Sequence, residues 1–548
     1  MKPRHPGAAV AAGVWCVALF ALVPSICAQE GVAPRHTGVP QDWSQHHIVF
    51  SRDALARRPD LIYREARILH QAMQRWQAPN SNVHGVDPMP TAADNSGPDR
   101  DWSVSPLGGR LVIDTYPAKF SFDPGAPPDC TNDYVVFGLS TTGTTGGRAN
   151  LVAFNNLYAG SGGLCGVAPS VMFAYNTTTV TGGKITTSPI LSEDGTKIAF
   201  VESVPGATAS ASFHVLTWTA GQGTIGAAAA PTMLSVPLFS AKNDTTSSPW
   251  IDYGSDTVYV GSNDGKVYKI TGVFKGTPTL VSTFPWPVTV ATNHILTSPV
   301  LDSGLGRLMV GDSTNGNLDQ IDTASGALAT LSVGAGLGKG ILAAPIVDVT
   351  NGTTFVVSGN DGTTAVLVEV DTASMTQLSK ARIGQGGAGG TAIDLYEPAL
   401  SNLYFNNPSS GVIRLCGTGL NNNTPWQYAF GFTGRTMKTT ASFSQQLLTS
   451  TTARCTGWTE FFNPNVGGVL GTDFFFFGLT QDCTAAGAAG GCVAEITSGN
   501  TTPTTATVNG GPSGIVVDNY STAGQASSIY LSAGKINTAY KFTQNGLQ

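Results

Sequence analysis

The chain has 548 residues, of which only 12% are charged, with 66 Gly, 32 Pro and a formal net charge of −6 at pH 7. Lys and Arg are too sparse to build the concentrated basic face that nucleic acid requires. A chain this long also exceeds what one hydrophobic core supports, so it divides into domains or repeats a unit.

Residues 1–28 read as a secretory signal peptide. Lys2 and Arg4 give a basic start, residues 8–23 form an uncharged apolar run, and Pro24-Ser25-Ile26-Cys27-Ala28 offers a cleavage site before Gln29. The run is short for a membrane span, and no later stretch is long and apolar enough to cross a bilayer. Cleavage would leave a net charge of −8 and six cysteines. An even number suits a disulfide framework in an oxidising compartment. No Cys-x-x-Cys occurs, so neither a thiol redox centre nor a covalent c-type haem is indicated. Cys483 with Cys492 would close a hairpin around a Gly/Ala-rich loop. Cys130 with Cys165 and Cys416 with Cys455 are the next pairings expected, and other combinations stay open.

Residues 29–106 form a helical extension and linker. Over 59–76 the apolar positions Ile62, Ala66, Leu69, Met73 and Trp76 recur at helical spacing, with Pro59 in the first turn. The opposite face carries Arg57, Arg58, Arg64, Arg67 and Arg75, and this helix is expected to pack on the outside or across one mouth of the domain that follows. Residues 78–106 are rich in Pro, Asn, Asp, Ser and Gly and read as a linker.

Residues 107–548 repeat. Thr187-Ser188-Pro189, Ser247-Ser248-Pro249, Thr297-Ser298-Pro299 and Ala343-Ala344-Pro345 each introduce a short apolar strand. A second strand follows within about ten residues: 198–201, 258–260, 308–310 and 355–357. Looser copies begin at Pro398 and Pro512. Turns such as Asn263-Asp264-Gly265 and Asn360-Asp361-Gly362 lead to a third strand, and 327–333 reads as a fourth. A period near 50 residues with four strands per unit describes an all-β, seven- or eight-bladed β-propeller with a short N-terminal helical extension. The last unit is one strand short, and an N-terminal strand such as Leu111-Val112-Ile113-Asp114 would close the ring and remove its open edges.

Ile321-Asp322-Thr323-Ala324-Ser325-Gly326 and, in part, Asp371-Thr372-Ala373-Ser374 resemble the Asp and Thr-Gly turn of the quinoprotein-like propeller superfamily. That superfamily includes pyrroloquinoline-quinone dehydrogenases and non-catalytic relatives that scaffold envelope assembly. Thr330 stands where the family unit has a closing Trp, and the resemblance covers about residues 185–385. The enzymatic members bring adjacent cysteines under the quinone and a carboxylate Ca²⁺ site. This chain has no adjacent cysteines, so the resemblance implies a non-catalytic member.

Other motifs have structural readings. Gly384-Gln385-Gly386-Gly387-Ala388-Gly389 matches a dinucleotide loop, but strand-like residues follow it where a helix is needed, so it reads as an inter-blade loop. Asp312, Asn315, Asn317 and Asp319 could gather around Ca²⁺, yet they coincide with a hairpin turn. His46, His47, His70 and His84 lie near the helix, and three of them would have to converge to hold a metal. Phe474 to Phe477 suit a strand packed on both faces between blades; an exposed aromatic platform for carbohydrate is the alternative.

No catalytic, cofactor-binding or metal residue is assigned, and no cofactor is implied. The sequence reads as an exported, non-enzymatic propeller that binds or scaffolds a protein or glycan partner, without nucleic acid or a transmembrane segment in the mature chain. The alternative is an extracellular propeller enzyme (hydrolase, lyase or quinone-type oxidoreductase) with its site at the central channel. Convergent polar groups with shifted pKa values there would favour the enzyme, and a channel lined by Thr, Ser and Gly would favour the scaffold.

Overall fold

The computed structural model describes residues 38–50, 67, 68, 71, 97–123, 127–205, 211–239, 245–334, 340–386, 393–463, 471–483, 490–498, 500–518 and 525–544. The strands form eight sheets of four or five, each an antiparallel meander at its core, arranged as an eight-bladed β-propeller. Blade 4 shows the unit: Val300–Asp302, Arg307–Asp312, Asn317–Asp322 and Leu328–Ser332, each paired with the next. Its hairpin turns at Gly316, where φ is 72° and a side chain would be strained. The middle strands are buried on both faces because each blade is sandwiched by its neighbours, so their sequences read as continuous apolar runs. The outermost strand instead alternates between exposed and partly buried residues.

Phe474 to Phe477 follow that rule. They lie in the second strand of blade 7, Thr472–Leu479, at 0–1% exposure, so they are packing and not an exposed carbohydrate platform. The three disulfides join Cys130 to Cys165, Cys416 to Cys455 and Cys483 to Cys492, the three pairings that sequence suggested.

The repeated triplet is a blade-to-blade latch. Its first hydroxyl accepts from the second strand of its own blade: Thr187 from Val201 N (3.3 Å), Ser247 from Gly261 N (2.8 Å) and Thr297 from Gly311 N (2.9 Å). Its second hydroxyl accepts from the preceding blade: Ser188 from Tyr116 N (2.9 Å), Ser248 from Ser188 N (2.8 Å) and Ser298 from Ser248 N (2.7 Å). A buried N–H left without its partner costs about 1–3 kcal/mol. Ser248→Ala is therefore expected to lower stability by about 1–3 kcal/mol in chemical denaturation, because the Ser188 amide keeps no acceptor there.

The ring closes through an N-terminal strand, but not through 111–114. Blade 8 has three C-terminal strands, Val516–Asp518, Ser528–Ser532 and Ala539–Thr543, and its fourth is Asp99–Val104, within the stretch expected as linker. The Trp102 indole in that strand donates to Leu157 O of blade 1 at 3.0 Å. Of residues 111–114, Leu111 is buried in the core and Val112, Ile113 and Asp114 line the axial cavity, and none lies in a strand.

The axis is occupied by the chain itself. Strand β1 (Val39–Gln41) pairs antiparallel with the innermost strand of blade 1, Ala118–Ser121, and strand β2 (Ile48–Val49) pairs parallel with that of blade 5, Ile346–Asp348. Blades 1 and 5 face each other across a ring of eight, so residues 39–49 span the channel. Between the strands, Trp43–His46 form a 3-10 turn capped by Asp42, which accepts from Ser44 N.

Of the helix expected over 59–76, Arg67, Ile68 and Gln71 are described, and all three are helical and buried. Gln71 grips the plug by donating to Ile48 O (2.7 Å) and accepting from Phe50 N (3.1 Å). Arg67, expected on an exposed basic face, is 1% exposed and lies 4.1 Å over the Trp250 ring. It donates to Ser44 Oγ and Ile251 O, each at 2.9 Å. The rest of that helix, and the signal segment, lie outside the described residues.

Candidate axial site

The second position of each triplet forms a ring around one mouth. In chain order the ring reads Tyr116, Ser188, Ser248, Ser298, Ala344, Glu397, Gly457 and Gly514. Three members are the latches described above, and the remaining arc departs from the repeat. Glu397 (in Tyr396-Glu397-Pro398) and Tyr116 (in Thr115-Tyr116-Pro117) are large, and the glycines that neighbour them leave the room. A Cβ on Gly457 would lie 1.9 Å from Glu397 Oε1, and one on Gly514 would lie 2.6 Å from the Tyr116 ring.

Between this ring and the plug lies a cavity of about 180 Å³, lined by Trp43 and His47 of the plug, Asp114, Tyr116, the latch serines and Tyr396. A smaller one of about 60 Å³ lies between the plug and the inner strands of blades 5 to 8. Asp114 is half-buried in left-handed backbone (φ 68°) and faces Glu397, which is 1% exposed. Burial, then the charge of Glu397, pushes the Asp114 carboxyl well above the usual range; burial raises Glu397 too. Two carboxyls this close cannot both ionise cheaply, so the pair holds one proton between them.

The plug histidines are neutral. Burial lowers His46 to about 4 and, joined by the neighbouring His46, lowers His47 to about 3. The His46 ring stacks on Tyr116 at 5.3 Å between centroids. His70 and His84 lie outside the described residues. Among the described residues no three His, Cys, Asp or Glu side chains gather as a metal set.

Several buried carboxyls elsewhere are raised by desolvation: Glu369 and Glu495 to about 7, Asp302 and Asp319 to about 6. A raised acid binds more protons folded than unfolded, so its share of stability is present at low pH and is lost as pH climbs through the folded pKa. His46 and His47 act oppositely, losing stability as pH falls below the unfolded value of about 6.5. The four acids outweigh the two histidines. The melting temperature is thus expected to be higher at pH 5 than at pH 8, as a calorimetric pH series would show.

The remaining sequence candidates lie elsewhere. Asp312 caps a hairpin, accepting from Thr314 N (2.8 Å) and Asn315 N (3.1 Å), and its other oxygen meets His294 Nδ1 at 2.6 Å. Asp319, inside the strand Asn317–Asp322, accepts from Thr330 Oγ1 of the next strand at 2.5 Å. Gly384 and Gly386 sit in the loop after Thr376–Arg382, with no helix among the described residues that follow until Asn402–Asn406. Apart from these candidates, His214 is buried in blade 2 between Ser235 Oγ (2.9 Å) and Glu202 Oε2 (3.0 Å). Asp114, Tyr116 and Glu397 were missed in the sequence. The signal was there: Thr115-Tyr116-Pro117 and Tyr396-Glu397-Pro398 align with the Thr-Ser-Pro triplet and break it at its second position.

No family model and no curated protein matches the chain. Among solved structures, it is similar to a protein from Bacteroides fragilis provisionally assigned as a 6-phosphogluconolactonase, at 12% identity and a TM-score of 0.39, over 70% of this chain and 98% of that one. A protein of the same provisional assignment from Bacteroides uniformis aligns at 11% identity and a TM-score of 0.39, over 69% of this chain and 97% of that one. Dihydro-heme d1 dehydrogenase NirN aligns at 12% identity and a TM-score of 0.40, over 80% of each chain. At these scores the likenesses carry no argument about activity; the eight sheets and their order establish the propeller.

Proposed function

We propose that the chain is an exported, non-enzymatic binding module that presents the plugged mouth of its propeller to a protein or glycan partner. The observation that carries this reading is the plug: among the described residues, 39–49 span the axis, so the mouth is blind and not a through-channel for a polymer. The exposed Thr246 and the aromatic ring of Tyr396 in its lining suit recognition. Export is supported by three disulfides and by the leader-like residues 1–28.

The Asp114–Glu397 pair favours a second reading, a hydrolase that uses their shared proton at the mouth. One experiment separates the two. Thr246 is exposed at the mouth, so Thr246→Trp fills it while sparing the latches. The binding reading expects the full chain to capture a ligand from a glycan array or from exported proteins, with at least a tenfold loss in Thr246→Trp. Unchanged capture in the variant, or turnover of a captured glycan, would overturn it.

A further inference from the structure

We propose that the cavity between the plug and the axial ring is the binding site for one saccharide unit, an inference that rests on the mouth reading above and narrows it. Trp43 Nε1 and Tyr116 OH line this one cavity as buried polar atoms without a hydrogen-bond partner, and the His47 ring and the Asp114 carboxyl, which pairs with Glu397, line it beside them. Buried polar groups are satisfied in the great majority of cases, so two exceptions facing one space, with an imidazole and a carboxyl beside them, point to a hydrogen-bonding occupant.

Their chemistry narrows the occupant. The indole N–H only donates, the carboxylate oxygen accepts, and the phenol and neutral imidazole can do either. A bare cation would face the Trp43 N–H, and an anion would face the Asp114–Glu397 pair. A ring of hydroxyls, each donating and accepting, meets both kinds of group. The half-exposed Tyr396 adds an aromatic surface for the C–H face of a sugar. Size agrees, since about 180 Å³ holds one such unit and not a chain of them.

The architecture gives the plug a second role. Trp43 and His47 come from the N-terminal segment, and Asp114 and Tyr116 come from the ring, so the plug builds one wall of the site that it leaves blind. The site also lies where the triplet repeat is broken. The side chains of Ser188, Ser248 and Ser298 are spent on latches, whereas those of Tyr116 and Glu397 are not, and Gly457 makes the room that Glu397 needs.

The test is saturation-transfer NMR of the full chain against glucose, galactose, mannose and N-acetylglucosamine, followed by titration of any sugar that binds. At least one is expected to bind. Asp114→Asn, which a left-handed backbone tolerates, and Tyr116→Phe are each expected to weaken it tenfold or more in a protein that still unfolds cooperatively. Binding by none of the four, or equal binding by both variants, overturns the proposal. Ligand capture that Thr246→Trp abolishes, with no sugar bound, sinks this inference alone and leaves the mouth reading standing.

Discussion

Asp518→Ala is expected to destabilise the protein by about 3–5 kcal/mol, the cost of stranding a buried charge. The carboxylate lies 2.8 Å from Lys119 Nζ, with side-chain exposures of 1% and 0%. Lys119 belongs to the innermost strand of blade 1 and Asp518 to that of blade 8, so the pair sits on the seam where the two ends of the repeat meet. Tyr158 OH (3.0 Å) donates to the same carboxylate, and Tyr530 OH lies 3.5 Å from it. Removing Asp518 takes away the carboxylate 2.8 Å from a fully buried ammonium, which keeps the hydroxyls of Ser121 and Tyr158 and the charge of Asp133 near it. The double variant Lys119→Met/Asp518→Leu removes both charges and is expected to recover much of the loss, since apolar replacement of a buried pair is often near neutral. Denaturant midpoints of the two variants check this; equal losses would show that packing at the seam, and not the charge, is what matters.

Arg67→Ala is expected to loosen the plug. The guanidinium stacks over Trp250 and bridges Ser44 Oγ of the plug to Ile251 O of blade 3. A desolvated cation–π contact is worth about 2 kcal/mol, and hydrogen bonds from a charged donor add about 1.5–3 kcal/mol each. The loss should be local. The amides of Val347 and Val349, which donate to His47 O (2.8 Å) and Val49 O (3.1 Å), are expected to exchange with solvent faster, while the middle strands of blades 6 and 7 keep their protection. Arg67→Lys should fail as well, because an ammonium cannot stack and bridge in one plane. Unchanged exchange at Val347 and Val349 in both variants would mean that β-pairing alone holds the plug. If the saccharide site is built as proposed, Arg67→Ala also weakens sugar binding, since Trp43 and His47 lose their footing.

The propeller itself was legible in the chain. Strands at 198–201, 258–260, 308–310 and 355–357 fall inside Lys197–Ser203, Thr257–Gly261, Arg307–Asp312 and Thr353–Ser358. They could be read because a sandwiched strand is apolar on both faces and its turns need Gly, Asp or Asn, which are local demands written once per blade. The triplet was visible for the same reason, although its role as a latch was not: the acceptor and donor of each second bond are about 50 or more residues apart. The Cys483–Cys492 pair followed from the hairpin that encloses its short loop.

What the linear chain left open was everything that depends on distant segments meeting. Arg67 sits on a pattern that reads as a solvated face, yet its partners are at 44, 250 and 251. The strand that closes the ring is Asp99–Val104 and not 111–114, because register against Ala539–Thr543 decides it, and a Pro-rich neighbourhood disguised it. Asp114 and Glu397 are 283 positions apart and carry no motif between them. Repetition is a local property that each unit states for itself, whereas the axis of a propeller is the one place where all units converge. Only the closed ring could bring the plug, the acid pair and the broken latches to the same point.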